Sequence, residues 1–319
     1  MSFSPTSFGE VVNSVGLESR SDRVLSRLLF LLLILSSSFV FNPSCFAQEA
    51  IGAEPYVRVT KDDAGRPIAL ETALVSFEGA KHADTRVDLI AAVHIADRSY
   101  YAQLNKMFAD YDVVLFELVV PDDFHAGLLK DTSRKSGLSS LQASFARLLD
   151  LSLQIEEVDY SARNFVHADL TYSEFKESME RLDESPISIL IKMFAVSLEA
   201  SQGTAREGLD IELAMALLER DPVNKAKRIK VIVGKEFGNV DTLIQAISGN
   251  QSSTLITARN DRAIDVLKQQ IKAGRKKIAI FYGGGHMPDL AAKLSDKMSM
   301  HKSGSRWLQA WDLRYTHHK

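Results

Sequence analysis

The run VDLIAAVH at positions 87–94 and the run VVLFELV at positions 113–119 decide how this chain folds. Each is short and nearly continuously apolar, the pattern of a strand covered on both faces of its sheet. Between them, residues 99–108 place Tyr100, Tyr101, Leu104 and Phe108 on one helical face. Strand, helix and strand within about 30 residues make a βαβ unit, expected to be parallel and right-handed.

Upstream, residues 56–60 and 68–77 are β-rich runs joined by KDDAGRP, a turn composition, so an antiparallel hairpin is expected to open the domain. Downstream of position 121 the pattern turns helical. Leu138, Leu141, Phe145, Leu148 and Leu149 recur at helical spacing, Thr171-Tyr-Ser-Glu174 is a capping box, and residues 187–198 and 209–218 are apolar helical stretches. Strand signal returns at 229–233 and 277–282. Helices are expected near 240–247 and over 255–272, the second stopped by Gly274, and the alternation through Trp307, Gln309, Trp311, Leu313 and Tyr315 reads as a closing strand. The expected fold class is α/β: a mixed β-sheet with a βαβ core and an α-helical insertion over about 121–224.

Residues 28–41 (LLFLLLILSSSFVF) form an apolar core preceded by Arg20, Arg23 and Arg27 and followed by small residues up to Ala47. This reads as a secretory signal over 1–47, because a core of 14 residues is short of the roughly 20 that a spanning helix wants. An uncleaved N-terminal membrane anchor is the alternative, and lipid attachment at Cys45 is a weaker one. Cleavage after Ala47 leaves a single domain over 48–319, 272 residues (319 less 47) without a cysteine. Thiol nucleophiles, thiolate metal sites and disulfides are then excluded together. The chain is expected to be periplasmic or extracellular, with no membrane span in the mature part.

With 45% hydrophobic and 25% charged residues, composition excludes a disordered chain and a collagen-like repeat. A net charge of −3 offers no basic surplus to neutralise a phosphate backbone, so no nucleic-acid partner is expected. Gly234-Lys235 is not a phosphate loop, since the preceding glycine and following Ser/Thr are missing.

Three predicted strands finish on polar groups: the first on His94, the second on Glu117, the third on Gly283-Gly284-Gly285-His286. In open α/β sheets the ligand crevice lies beyond the carboxyl ends of the strands. Two imidazoles and a carboxylate there can hold Zn²⁺, Mn²⁺ or Co²⁺, or work without metal as an acid–base set. The three glycines leave backbone N–H groups free to face an oxyanion. The bland alternative is a hydrogen-bonded core histidine and a glutamate paired with an arginine. On the helix from position 255, Ile256, Asn260, Ile264, Leu267 and Ile271 share a stripe, with Arg259 on its edge. A buried amide must find partners, either tying helix to sheet or orienting a catalytic group. His167 precedes a helix start, where capping or loop bonding is the simpler role.

Taken together, a strand-end AAVH, a helix, a strand ending in ELV, a late helix carrying Arg259-Asn260-Asp261-Arg262 and a glycine-rich GGGH form an arrangement that resembles the TraB/GumN/Tiki superfamily, with its erythromycin-esterase-like and ChaN-like relatives. The match covers about 87–119 and 255–290. Alanine at position 91 stands where the family has glycine. The resemblance implies an active site of His94, Glu117, Arg259, Asn260 and His286, with a divalent metal on His94, Glu117 and His286 and a metal-dependent peptidase activity. The ChaN-like branch implies haem instead. The expectation is thus an exported hydrolase acting on a peptide or small molecule. Its alternatives are a noncatalytic binding protein for haem, another tetrapyrrole, a peptide or a polysaccharide fragment, and a metal-free histidine-dependent esterase.

Overall fold

A computed structural model describes residues 55–79, 82–122, 149–184, 218–237 and 254–314, together with 212, 215 and 216. In chain order they form β1 (Val57–Lys61), β2 (Pro67–Gly79), β3 (His82–Ala92), β4 (Ile95–Ala96), α1 (Arg98–Phe108), β5 (Val113–Phe116), β6 (Ser152–Leu153), α2 (Gln154–Glu157), β7 (Phe165–His167), α3 (Tyr172–Arg181), α4 (Pro222–Phe237), α5 (Arg259–Lys272), β8 (Lys277–Gly283), α6 (Met287–Met298) and β9 (Met300–Asp312).

The main sheet is mixed. β2 runs antiparallel to β9 on one side, and on the other to β1 and β3, which share that edge end to end. Beyond β3 come β8, β5 and β7, all parallel to it. The opening hairpin and the parallel βαβ unit are present as expected, with one difference. β3 and β5 are not neighbours, because the late strand β8 lies between them and hydrogen-bonds to both.

Alternate residues of these strands feed two cores. Ile90, Val114, Phe116 and Phe281 pack with Tyr100, Leu104 and Phe108 of α1 and with Ile229 and Ile232 of α4. Leu89, Leu115, Ile278 and Ile280 pack with Ile264 and Leu267 of α5 and Leu290 and Leu294 of α6. Burying each such aliphatic or aromatic side chain contributes about 1.5–3 kcal/mol, which is why strands covered on both faces carry no polar alternation.

The helices that carry the site have clear starts and stops. α5 follows a π-helical turn, Thr254–Ala258, and ends at Gly274, whose φ of 85° suits glycine and whose N–H returns to the Ile271 carbonyl at 2.9 Å. α6 has Pro288 in its first turn and ends at Ser299 in the left-handed region. The capping box at Thr171 forms: its hydroxyl accepts from the Glu174 N–H, and the Glu174 carboxylate accepts from the Thr171 N–H at 2.9 Å.

Two sequence expectations are corrected. Residues 229–233 belong to α4, not to a strand. Asp221 caps that helix, accepting from the Asn224 N–H at 2.7 Å, and Pro222 takes the first helical position, so the β-branched run is overridden by the start signal and by burial of Ile229 and Ile232 at helical spacing. Second, the stretch read as an α-helical insertion over about 121–224 also holds β6, which pairs with β4, and β7, which extends the main sheet past β5. The second βαβ strand is also shorter than its apolar run, ending at Phe116, so Glu117 stands just past its end.

The expected signal at 1–47 and the helices expected at 187–198 and 240–247 lie outside the described residues, as do most of those at 138–149 and 209–218. Among the described residues, no helix is long and apolar enough to cross a membrane.

Candidate active site

The four parallel strands end at one rim of the sheet, and each is followed within three residues by an ionisable side chain. Glu117 follows β5, Asp169 follows β7, His286 follows β8 and His94 follows β3. The pairings Phe116 with Phe281 and Phe116 with His167 bring Glu117, the start of the glycine turn and Asp169 side by side. From above, the π-turn delivers Arg259 and Asn260 as the first two residues of α5, and both enter this rim.

Arg259 is the hub. Its Nε donates to Asp169 Oδ1 at 2.9 Å and its Nη2 to Asp169 Oδ2 at 2.5 Å, a two-pronged pair. The same Nη2 donates to Glu117 Oε1 at 2.7 Å. Three of the five guanidinium N–H groups are therefore used by carboxylates. The two on Nη1 are used by no carboxylate, and Nη1 itself stands a long 3.4 Å from His286 Nε2. Asp169 is fully buried, and the Arg259 and Glu117 side chains are each 12% exposed.

Glu117 uses both oxygens. Oε1 takes Arg259 and stands 3.4 Å from His286 Nε2, while Oε2 accepts the Gly283 N–H at 2.6 Å. Burial alone would raise its pKa, but the charges of His286, when that ring is protonated, and of Arg259 more than offset burial and hold the carboxyl well below its ordinary value. For Arg259, burial works against the charge, yet Glu117 and Asp169 push its proton affinity above the ordinary arginine value. The Tyr282 phenol is pushed well above its ordinary value by burial and by the charges of Asp169 and Glu117, so it stays neutral and donates to the Ala168 carbonyl at 2.6 Å.

His286 is held by Asn260. The imidazole Nδ1 lies 2.7 Å from Asn260 Oδ1, and the Asn260 amide nitrogen donates to the His286 carbonyl at 3.0 Å and to Asp289 Oδ2 at 2.8 Å. Those two acceptors fix which end of the amide faces the ring. Nδ1 must then carry a hydrogen, and in its neutral form the ring keeps its lone pair on Nε2, the atom facing Arg259 and Glu117. Asp289 is itself paired with Lys293 at 3.2 Å.

Glu117, Arg259, Asn260 and His286 thus come together from the set read in the sequence. His94 does not join their hydrogen bonds. Its side chain is exposed at the rim, near enough for its charge to bear on Glu117, and its carbonyl accepts the Gln154 N–H at 2.9 Å. Of the three glycines expected to face an oxyanion, Gly283 instead spends its N–H on Glu117, and Gly284 and Gly285 enter the short 3-10 turn Gly284–His286. His167 bonds through Nε2 to the Leu118 carbonyl at 2.7 Å, beside the site. Asp169 and Asp289 were not singled out in the sequence. A lone aspartate between strand and helix has no periodic signature, although Asp289 sits three residues past the GGGH motif.

A metal on His94, Glu117 and His286 would need carboxylate and imidazole lone pairs converging on an open point. Here both Glu117 oxygens are engaged, and a guanidinium, itself a cation, faces His286 Nε2. Among the described residues, no group of three His, Cys, Asp or Glu side chains is arranged to hold a metal ion. In this arrangement the donor set does not fit a divalent cation. No protein-family model matches the chain, and no curated protein matches it.

Proposed function

We propose that the chain is a hydrolase that works without a metal, with His286 as its general base and Arg259 as the cation that receives developing negative charge. The observation that carries this reading is the Asn260–His286 pair: an amide pinned at its nitrogen end by two acceptors presents its oxygen to Nδ1 at 2.7 Å, leaving Nε2 as the basic atom. An imidazole oriented in this way by a third group is the recurring arrangement for proton transfer in hydrolysis.

In the proposed reaction, a water at Nε2 loses a proton to His286 as its oxygen attacks the carbonyl carbon of an ester or amide. The carbonyl oxygen becomes an anion facing the Nη1 hydrogens of Arg259, the two that no carboxylate uses. When the tetrahedral species collapses, His286 returns the proton to the leaving oxygen or nitrogen. Glu117 is too acidic and too fully bonded to act as base; it anchors Arg259 and the Gly283 turn. His94, exposed at the rim, is positioned to meet substrate rather than to hold the guanidinium.

The motif resemblance to the TraB/GumN/Tiki superfamily and its esterase-like relatives supports hydrolysis as the reaction class, and the apolar, arginine-flanked N-terminal run supports export. The test is a screen of peptide and ester libraries with purified mature chain in the presence of a chelator, with His286→Ala alongside. Cleavage by the wild type and none by the variant is expected. Equal product from both, or none from either, contradicts the reading.

A further inference from the structure

Asp169 is a fully buried carboxylate with no surface role, and its two oxygens take Nε and Nη2 of Arg259 in a parallel fork. It is held in turn from its own chain, since the Leu170 N–H donates to Oδ1 at 2.7 Å. A guanidinium gripped on that edge cannot rotate about its Cζ–Nε bond or slide in its plane. Its opposite edge, Nη1, is therefore fixed toward His286 Nε2. A merely structural buried pair would send the remaining N–H groups to backbone carbonyls, whereas here they point at the imidazole and at Glu117. Glu117 alone could not impose this geometry, because it touches Arg259 at a single nitrogen.

We propose that Asp169 is a positioning residue that aims Arg259 at the oxyanion beside His286. Asp169 never touches substrate; it fixes the plane of the group that does. The kinetic consequence rests on the hydrolase reading, and the geometric one does not.

The experiment uses the full mature chain with Asp169→Asn, Asp169→Glu, Arg259→Ala and the double variant Asp169→Asn with Arg259→Ala. A misplacement of about 1 Å near the reacting atoms costs on the order of 100-fold in rate. Asp169→Asn is accordingly expected to lower kcat by about that factor with KM little changed, and to cost nothing further once Arg259 is alanine. Asp169→Glu keeps the charge but displaces the guanidinium by a methylene, so it too is expected to lower kcat, and it decides the matter if Asp169→Asn does not fold. In parallel, the arginine Nε–H resonance that disappears in Arg259→Ala is followed by NMR. It is expected to be slowly exchanging in the wild type, and shifted and fast-exchanging in Asp169→Asn. Wild-type kcat in either aspartate variant, additive losses in the double variant, or an unchanged Nε–H resonance would overturn the proposal. If the wild type hydrolyses nothing, the hydrolase reading fails while the resonance still decides the positioning of Arg259.

Discussion

The Gly283 N–H donates to Glu117 Oε2 at 2.6 Å, and a Cβ on residue 283 would stand only 3.3 Å from that same oxygen. The carboxylate cannot retreat, because Arg259 holds its other oxygen at 2.7 Å. Glycine at this position is therefore a matter of close approach, since its φ of −54° is open to any residue. Gly283→Ala is expected to cost about 1–3 kcal/mol through overpacking, read from the urea midpoint, and to lower turnover with it. A variant as stable as the wild type would show that Glu117 has room to move.

The charge of Glu117 makes wild-type stability depend on pH in a definite direction. Its folded proton affinity is depressed, so it contributes stability that is fully present above its ordinary value of 4.5 and is lost as pH falls toward the lower folded value. Glu117→Gln is expected to be less stable than wild type by on the order of 3 kcal/mol near neutral pH, as for one partner of a buried pair. The difference should shrink below pH 4.5. Denaturant midpoints of both proteins between about pH 7 and pH 3 check this, and a gap that widens in acid would contradict it.

Asn260→Ala removes the acceptor for Nδ1–H and frees the imidazole to adopt the other tautomer. A loss of about 10- to 100-fold in kcat is expected, comparable to the loss of other groups that orient a functional histidine. Asp289→Ala, which frees the Asn260 amide to flip, should show a smaller loss of the same kind in steady-state assays. An Asn260→Ala variant with unchanged kcat would reduce the pair to a structural tie between α5 and the sheet.

The helical assignment of residues 222–237 has its own test. Asp221→Ala removes the cap on the Asn224 N–H and is expected to cost about 1 kcal/mol, and Asp221→Ser to recover most of it, in thermal or denaturant unfolding. If the segment were a strand, neither substitution would register.

What the sequence disclosed follows the physics of each signal. β3, β5 and β8 were legible because strands buried on both faces must be apolar throughout, and α5 because its stripe repeats over four turns and stops at a glycine that needs positive φ. The run KVIVG in α4 was misread because its β-branched residues favour strands locally, while the Asp221-Pro222 start and the burial of Ile229 and Ile232 act over a longer span. β7 escaped notice because three residues at a sheet edge carry too little periodicity. In the site, strand-end position found Glu117 and His286 but does not tell where a side chain points, so His94 was grouped with residues it does not bond. Asp169 was invisible because its meaning lies entirely in Arg259, 90 residues further along the chain.

Whether His286 performs the proposed chemistry without a metal is decided by the pre-steady-state rate of ester hydrolysis in exhaustively chelated wild type and chelated His286→Ala. Full activity is expected in the chelated wild type, and a fall of about 10²- to 10⁴-fold in the variant. A chelated wild type that is inactive until zinc, manganese or cobalt is restored, or a His286→Ala variant that keeps the wild-type rate, would contradict it.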